Sequence, residues 1–68
     1  MEYVVIYEET STGYSAYSPD ILGCITTGRT IEETRTNMAE AISFHIEGLR
    51  RHGYPVPEPK SIVEKVAV

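Results

Sequence analysis

The feature that most constrains the fold of this chain is a helix start followed by a long helical repeat of apolar residues. Thr30 and Glu33 have the spacing of a capping box. In that motif the Thr30 side chain accepts from the Glu33 N–H, and the Glu33 carboxylate reaches back to the Thr30 N–H. Glu32 and Glu33 also place negative charge at the positive end of the helix dipole. The sequence therefore predicts a helix that begins at Ile31.

Apolar residues recur at three- and four-residue spacing after this start, which predicts one buried stripe along the helix. The predicted stripe comprises Ile31, Thr34, Met38, Ala41, Ile42, His45, Ile46 and Leu49. Glu40 falls on the exposed side, and Phe44 falls near the boundary, where it covers a sheet edge or joins an interface. The helix is expected to end near Arg51, because Gly53 suits a left-handed cap and the prolines at 55, 57 and 59 prevent its continuation.

Four other stretches have the composition or alternation of β-strands. The predicted strands are Glu2–Glu8, Tyr14–Ser18, Leu22–Thr27 and Ile62–Val68. A polar loop ending in glycine joins the first two at hairpin distance, and Pro19-Asp20 ends the second because proline removes a ladder donor. The first strand is apolar on both sides and is therefore expected to be central.

These elements predict an α+β fold, a two-layer β-β-β-α-β arrangement with a four-stranded mixed sheet and one long helix on one face. Two hairpins make strands one to three antiparallel, and a right-handed crossover makes strand four parallel to strands one and three. The expected spatial order is 3-2-1-4. Strand three lies at an edge, which either pairs with another chain or is solvated. The uncovered sheet face predicts self-association, as a dimer or tetramer.

Length and charge limit the function. The 68 residues allow one small domain, expected over residues 1–68 and marginally stable alone. The single cysteine allows no internal disulfide, and no basic leader or long apolar run begins the chain, so a cytoplasmic protein without a membrane partner is expected. A formal net charge of -4 argues against binding to a phosphate backbone and favours a basic protein partner.

Residues with reactive side chains are few, and we expect no catalytic, metal or cofactor site and no enzymatic activity. Asp20 is a turn residue or, alternatively, a metal ligand. Cys24 is a small apolar strand residue or a nucleophile paired with His45, which lies on the buried stripe, or with His52 at the helix end. The basic residues at 50–52 complement the helix dipole or contact nucleic acid. Strand tyrosines are suited to stacking on RNA bases, but the basic surface that should accompany them is absent.

Several motifs in combination resemble the HicB-like antitoxin family. They are Tyr-Val-Val-Ile from residue 3, Gly-Tyr-Ser-Ala-Tyr-Ser-Pro-Asp-Ile-Leu-Gly-Cys from residue 13, Thr-Gly-Arg-Thr-Ile-Glu-Glu-Thr from residue 27, Ala-Glu-Ala-Ile from residue 39, and Pro-Val-Pro-Glu-Pro from residue 55. The resemblance covers essentially the whole chain. It implies a fold like part of ribonuclease H and a non-enzymatic protein that binds and blocks HicA, a small basic toxin that cleaves mRNA.

The resemblance also sets expectations about partners. Many members of this family carry a C-terminal DNA-binding module; we expect none here, and therefore no direct DNA binding. The alternative to an antitoxin is a stand-alone oligomeric interaction or scaffold domain without a toxin partner. Contacts with a partner are expected around the turn after the second strand and on the acidic helix face. The candidate partner-binding residues are Tyr17, Pro19, Asp20, Leu22, Cys24, Glu33, Glu40 and Phe44.

Overall fold

Three short strands precede one long helix in the computed structural model, which describes residues 1–68. The elements are β1 (Ile6–Thr10), β2 (Gly13–Tyr17), β3 (Ile25–Gly28) and α1 (Ile31–Arg51). The strands form one antiparallel sheet in the order β1-β2-β3, and α1 packs on one face of it, against β2 and β3. The α+β class and the edge position of the third strand are therefore confirmed, whereas the central strand is β2.

The predicted four-stranded mixed sheet of order 3-2-1-4 is wrong, because residues 62–68 form no strand. The backbone N–H groups of Lys60 and Ser61 donate to the Asp20 carboxylate at 3.0 and 2.9 Å. These bonds hold the chain beside the turn that follows β2, and every residue beyond Ser61 is exposed. The alternation at 62–68 makes this segment competent to form a strand, but it has no partner within the chain.

The first strand also differs from the prediction of a central strand over residues 2–8. It begins at Ile6, whose partner across the sheet is Tyr17. The neighbouring strand ends at Tyr17, and Ser18 is buried at the start of a turn, so residues 2–5 have no strand beside them. The β-branched composition of these residues therefore does not suffice to make them part of the sheet.

The helix has the predicted bounds and both predicted ends. Thr30 is the N-cap, and its side-chain oxygen accepts from the Glu33 N–H at 3.1 Å. The Glu33 carboxylate accepts from the Arg29 N–H at 3.4 Å, one residue before the predicted donor. Gly53 has a φ of 72°, and the Tyr54 N–H donates to the Leu49 carbonyl at 2.9 Å, which confirms the left-handed cap.

The core is small and lies between the helix, β2 and the turn that follows it. The buried apolar residues are Ala16, Ile21, Cys24, Met38 and Ile46. All eight residues of the predicted helix stripe are buried or half-buried. Thr34 is completely buried, and its hydroxyl is satisfied because it donates to the Thr30 carbonyl at 2.7 Å. A Cβ at Gly28 would lie 2.5 Å from the Thr34 hydroxyl, so this close approach of β3 and α1 requires glycine.

Candidate partner-binding surfaces

The turn between β2 and β3 is built to bury two side chains and expose a third. The Ile21 N–H donates to the Ser18 carbonyl, and the Cys24 N–H donates to the Ile21 carbonyl, both at 3.2 Å. These bonds direct the side chains of Ile21 and Cys24 into the core. Gly23 has a φ of 79°, in the left-handed region that favours glycine. Leu22 consequently stands out from the turn with 94% of its surface exposed.

A row of apolar side chains on the uncovered sheet face continues from this turn. Ile6 pairs with Tyr17, and Tyr17 pairs with Ile25, so the three residues are neighbours across the sheet. Ile25 is 65% exposed. Tyr17, Leu22 and Ile25 rim a shallow depression of about 350 Å³, and Ile21 is in its floor. We call the exposed group of Tyr17, Pro19, Leu22 and Ile25 the turn surface.

Asp20 lies at the edge of the turn surface, but its carboxylate is engaged within the chain. It accepts from the backbone N–H groups of Lys60 and Ser61 and, at 3.0 Å, from the Ser61 hydroxyl. The backbone hydrogen bond from Ser61 is the main cause that lowers the pKa of Asp20 below its ordinary value. The carboxylate therefore acts as a link between the turn and the segment 40 residues further on.

Cys24 lies beneath the turn surface and not on it. Its side chain is in the core, and burial raises the pKa of its thiol. At neutral pH the group is therefore a protonated thiol, which is a poor nucleophile and a poor metal ligand. His45 lies on the buried side of the helix, and no three His, Cys, Asp or Glu side chains are grouped so that they could hold a metal ion.

The opposite side of the molecule presents an acidic helix face around one exposed aromatic ring. Phe44 is 80% exposed, and Glu40 and Glu47 lie one turn before and after it. Glu47 forms an ion pair with Arg51 at 2.7 Å, in which both side chains remain largely in water. Glu33 lies on the same face, two turns before Glu40, and caps the helix start. We call Glu40, Phe44 and Glu47 the helix surface.

The structure thus divides the predicted partner-binding residues between two sides of the two-layer molecule. Tyr17, Pro19 and Leu22 are exposed at the turn, with Asp20 at its edge and Cys24 below it. Three others, Glu33, Glu40 and Phe44, share the outer face of α1. Ile25 was not among the predicted residues, because the alternation of Ile25, Thr26 and Thr27 does not say which of the two faces lies against the helix. Its pairing with Tyr17 could not be read from local sequence.

The chain matches one family profile and several known proteins. A family profile described as "HicB_like antitoxin of bacterial toxin-antitoxin system" matches residues 3–68. A UPF0150 protein of Synechocystis is 37% identical over 65 residues, which cover 96% of this chain and 82% of that protein. A UPF0150 protein of Thermoplasma acidophilum is 38% identical over 58 residues, covering 84% of each. An uncharacterized 14.9 kDa protein of Haemophilus phage HP1 is 36% identical over 66 residues, 97% of this chain and 50% of the phage protein.

A solved structure is similar as well. A chain of the structure titled "HicA3 and HicB3 toxin-antitoxin complex" matches with a TM-score of 0.75 and 38% sequence identity. The match covers 87% of this chain and 70% of the other. The helix of this chain is not long and apolar enough to cross a membrane.

Proposed function

Because the chain belongs to the HicB-like antitoxin family, we propose that it binds and blocks a small basic toxin of the HicA kind in the cytoplasm, with no enzymatic activity of its own. The observation that carries this proposal is the similarity to a chain of the HicA3 and HicB3 complex, at 38% identity over 87% of this chain. This identity over most of the chain supports a shared fold and a partner of the same kind. Neutralisation then needs only occlusion of the toxin, which requires no reactive group on this chain.

We assign the toxin contact to the helix surface, because its chemistry complements a basic partner. The chain carries a net charge of -4, and opposite net charges accelerate the encounter of two proteins. Glu40 and Glu47 flank the ring of Phe44, so charge steers the approach and the ring supplies apolar contact. Aromatic residues at the centre of an interface commonly carry most of the binding energy. Burial of a side chain of this size contributes about 1.5–3 kcal/mol.

The turn surface is the second candidate for the toxin contact. Tyr17, Leu22 and Ile25 offer apolar area, and the carboxylate of the adjoining Asp20 is already bound to Lys60 and Ser61. This surface therefore suits an apolar patch on a partner better than a strongly basic one. The two assignments make opposite predictions for two single substitutions, since both central side chains are exposed.

The test compares Phe44→Ala with Leu22→Ala, using the product of a short basic reading frame adjoining the gene as the toxin. Phe44→Ala should weaken toxin binding by about tenfold to a hundredfold, as expected for loss of 1.5–3 kcal/mol. Leu22→Ala is the matched control and should leave affinity within about threefold. Calorimetry gives the affinity, and rescue of growth on co-expression gives the neutralisation. Failure of the folded wild-type chain to bind or rescue would contradict the proposal and favour the stand-alone scaffold.

A further inference from the structure

The segment from Lys60 to Val68, which we call the arm, is bound to Asp20 at Lys60 and Ser61 and beyond Ser61 extends from the domain without packing on it. Ile62, Val63 and Val66 are 91%, 64% and 73% exposed, and no backbone hydrogen bond involves residues 62–68. The Cα radius of gyration is 13.1 Å, whereas a compact chain of 68 residues has about 11 Å. A run of exposed branched residues with free backbone groups is a template for pairing with another chain.

A groove of about 430 Å³ beside the helix is suited to receive an extended apolar segment such as the arm. One wall is the N-terminal segment and the other is α1; the lining residues are Met1, Tyr3, Ile42, Ser43, Ile46, Glu47 and Arg50. Residues 3–5 are half-buried, yet residues 2–5 make no backbone hydrogen bond. Half-buried backbone groups without partners are uncommon in folded proteins. The groove therefore offers apolar contact and free backbone donors and acceptors side by side.

The arm of the same chain is held away from this groove. The Tyr3 hydroxyl donates to the Pro57 carbonyl at 2.6 Å, so the chain passes the N-terminal segment before the arm begins. Asp20 then fixes Lys60 and Ser61 beside the turn surface. Two bonds thus determine where the arm leaves the domain, and they direct its apolar residues outward.

We propose that the arm of a second copy of this chain occupies the groove, and that the exchange is reciprocal. A two-fold axis then makes both arms and both grooves occupied at once, with no free edge left to recruit further chains. Each chain keeps its own three-stranded sheet, and the arm backbone pairs with residues 2–5 of the other copy. This inference needs no toxin and is tested on the purified chain alone, although Glu47 belongs both to the groove and to the helix surface.

Dimensions and charge support this occupant. The helical wall from Ile42 to Arg50 is about 12 Å long at 1.5 Å per residue, and an extended segment from Ile62 to Val66 spans about 13 Å. The groove carries Arg50, and Glu64 lies on the same face of an extended arm as Ile62 and Val66, because side chains alternate along a strand. Pairing of Glu64 with Arg50 then sets the register of the arm.

The small size of the core also favours a dimer. Only seven of 68 residues are buried, and domains of this size commonly need oligomerisation, a disulfide or a metal for stability. The chain has one cysteine, which is free, and no group of metal-binding side chains. Covering Ile62 and Val66 in the groove of a second copy supplies apolar burial that a single chain lacks.

Light scattering on the purified chain tests the inference first. The wild type should have the mass of two chains, and Val66→Asp should have the mass of one or dissociate at about tenfold to a hundredfold higher concentration. Phe44→Asp is the matched control, since it places the same charge on an equally exposed apolar residue outside the groove. It should remain a dimer. A monomeric wild type, or equal dissociation by both variants, would overturn the proposal.

Disulfide trapping then tests which surfaces meet. A chain with Val66→Cys is mixed with a tagged chain with Ser43→Cys, where Ser43 lies in the groove. The control replaces Ser43→Cys with Phe44→Cys, one residue and about 100° further around the helix. Cys24 does not compete because it is buried. Oxidation should link the first pair at least tenfold faster than the control pair. Equal rates would show that the arm does not occupy the groove.

Discussion

The helix surface and the turn surface each expose one large apolar side chain, but the structure holds them in place by different means. Phe44 is positioned by the helix, whose start, stripe and end are encoded within 24 consecutive residues, from Thr30 to Gly53. Leu22 is positioned by its neighbours Ile21 and Cys24, which are anchored in the core. The comparison shows that a surface can be supported by local sequence or by burial elsewhere. The two supports respond differently to substitution.

The strongest test of this difference compares two adjacent residues of the turn. Ile21 is 1% exposed and Leu22 is 94% exposed. Ile21→Ala should lower the free energy of unfolding by about 2–5 kcal/mol, because it removes buried apolar atoms and leaves a cavity. Leu22→Ala should change it by less than about 0.5 kcal/mol. Urea unfolding followed by circular dichroism measures both.

A domain of this size can lose its fold when it loses several kcal/mol, so Ile21→Val provides a graded variant. It should cost about 0.5–1.5 kcal/mol, and the chain should remain folded. Equal effects of Ile21→Ala and Leu22→Ala would show that the turn is not supported by burial of Ile21.

The same contrast explains what could be predicted from the sequence. The bounds of α1 were predicted correctly because a capping box, a 3.6-residue period and a glycine cap are all local signals. The exposed position of Glu40 follows from the same period, whereas Phe44 was placed near the boundary and is in fact 80% exposed. By contrast, the link from Asp20 to Ser61 joins residues 41 positions apart, and no local pattern indicates it. Asp20 was correctly placed in a turn, but its partner could not be deduced.

The sheet shows the same limit of local information. The alternation in residues 62–68 indicates a segment able to pair, yet pairing depends on where the preceding residues are held. The stretch from Glu2 to Val5 is rich in β-branched residues, but β2 ends opposite Ile6 and leaves it no partner. The partner-binding residues were predicted as the turn after the second strand, up to Cys24, and the acidic helix face, which explains why buried Cys24 was included and exposed Ile25 was not.

Loss of the N-cap of α1 should have a medium effect on stability, and it tests whether local sequence holds the helix surface in place. Thr30→Ala removes the side-chain oxygen that accepts from the Glu33 N–H, and should lower the free energy of unfolding by about 1 kcal/mol. Thr30→Ser keeps an acceptor and should have little effect. Hydrogen exchange should quicken most in the first turn of α1, while the turn surface should be unaffected. Equal loss of protection at the turn would contradict separate supports.

Removal of the charges of the helix surface should have a smaller effect than loss of its apolar contact, and should act on the rate of association. The double substitution Glu40→Gln and Glu47→Gln removes two charges beside Phe44, and should slow association with a basic toxin about twofold to tenfold at low salt. The dissociation rate should change little, because rim charges act mainly on the encounter. Glu8→Gln on the sheet side is the control. Stopped-flow kinetics at two salt concentrations measures the association rate. Equal slowing by Glu8→Gln would contradict the assignment of the toxin contact to the helix surface.

The smallest effect should be local to the link between the turn and the arm. Hydrogen bonds, first that from the Ser61 N–H, lower the pKa of Asp20, so the folded chain favours the carboxylate. The stabilisation from this link is present above the ordinary aspartate pKa of about 3.9 and is lost as the pH falls through the lowered value. The amide signal of Ser61 should therefore shift on acidification while the signals of α1 stay constant. Asp20→Asn should give the acid-like signal already at neutral pH, and Glu58→Gln, a nearby exposed carboxylate, should not. If Ser61 kept its signal in Asp20→Asn, the charge of Asp20 would not be what orients the arm, and the backbone beyond Pro57 would have to do so instead.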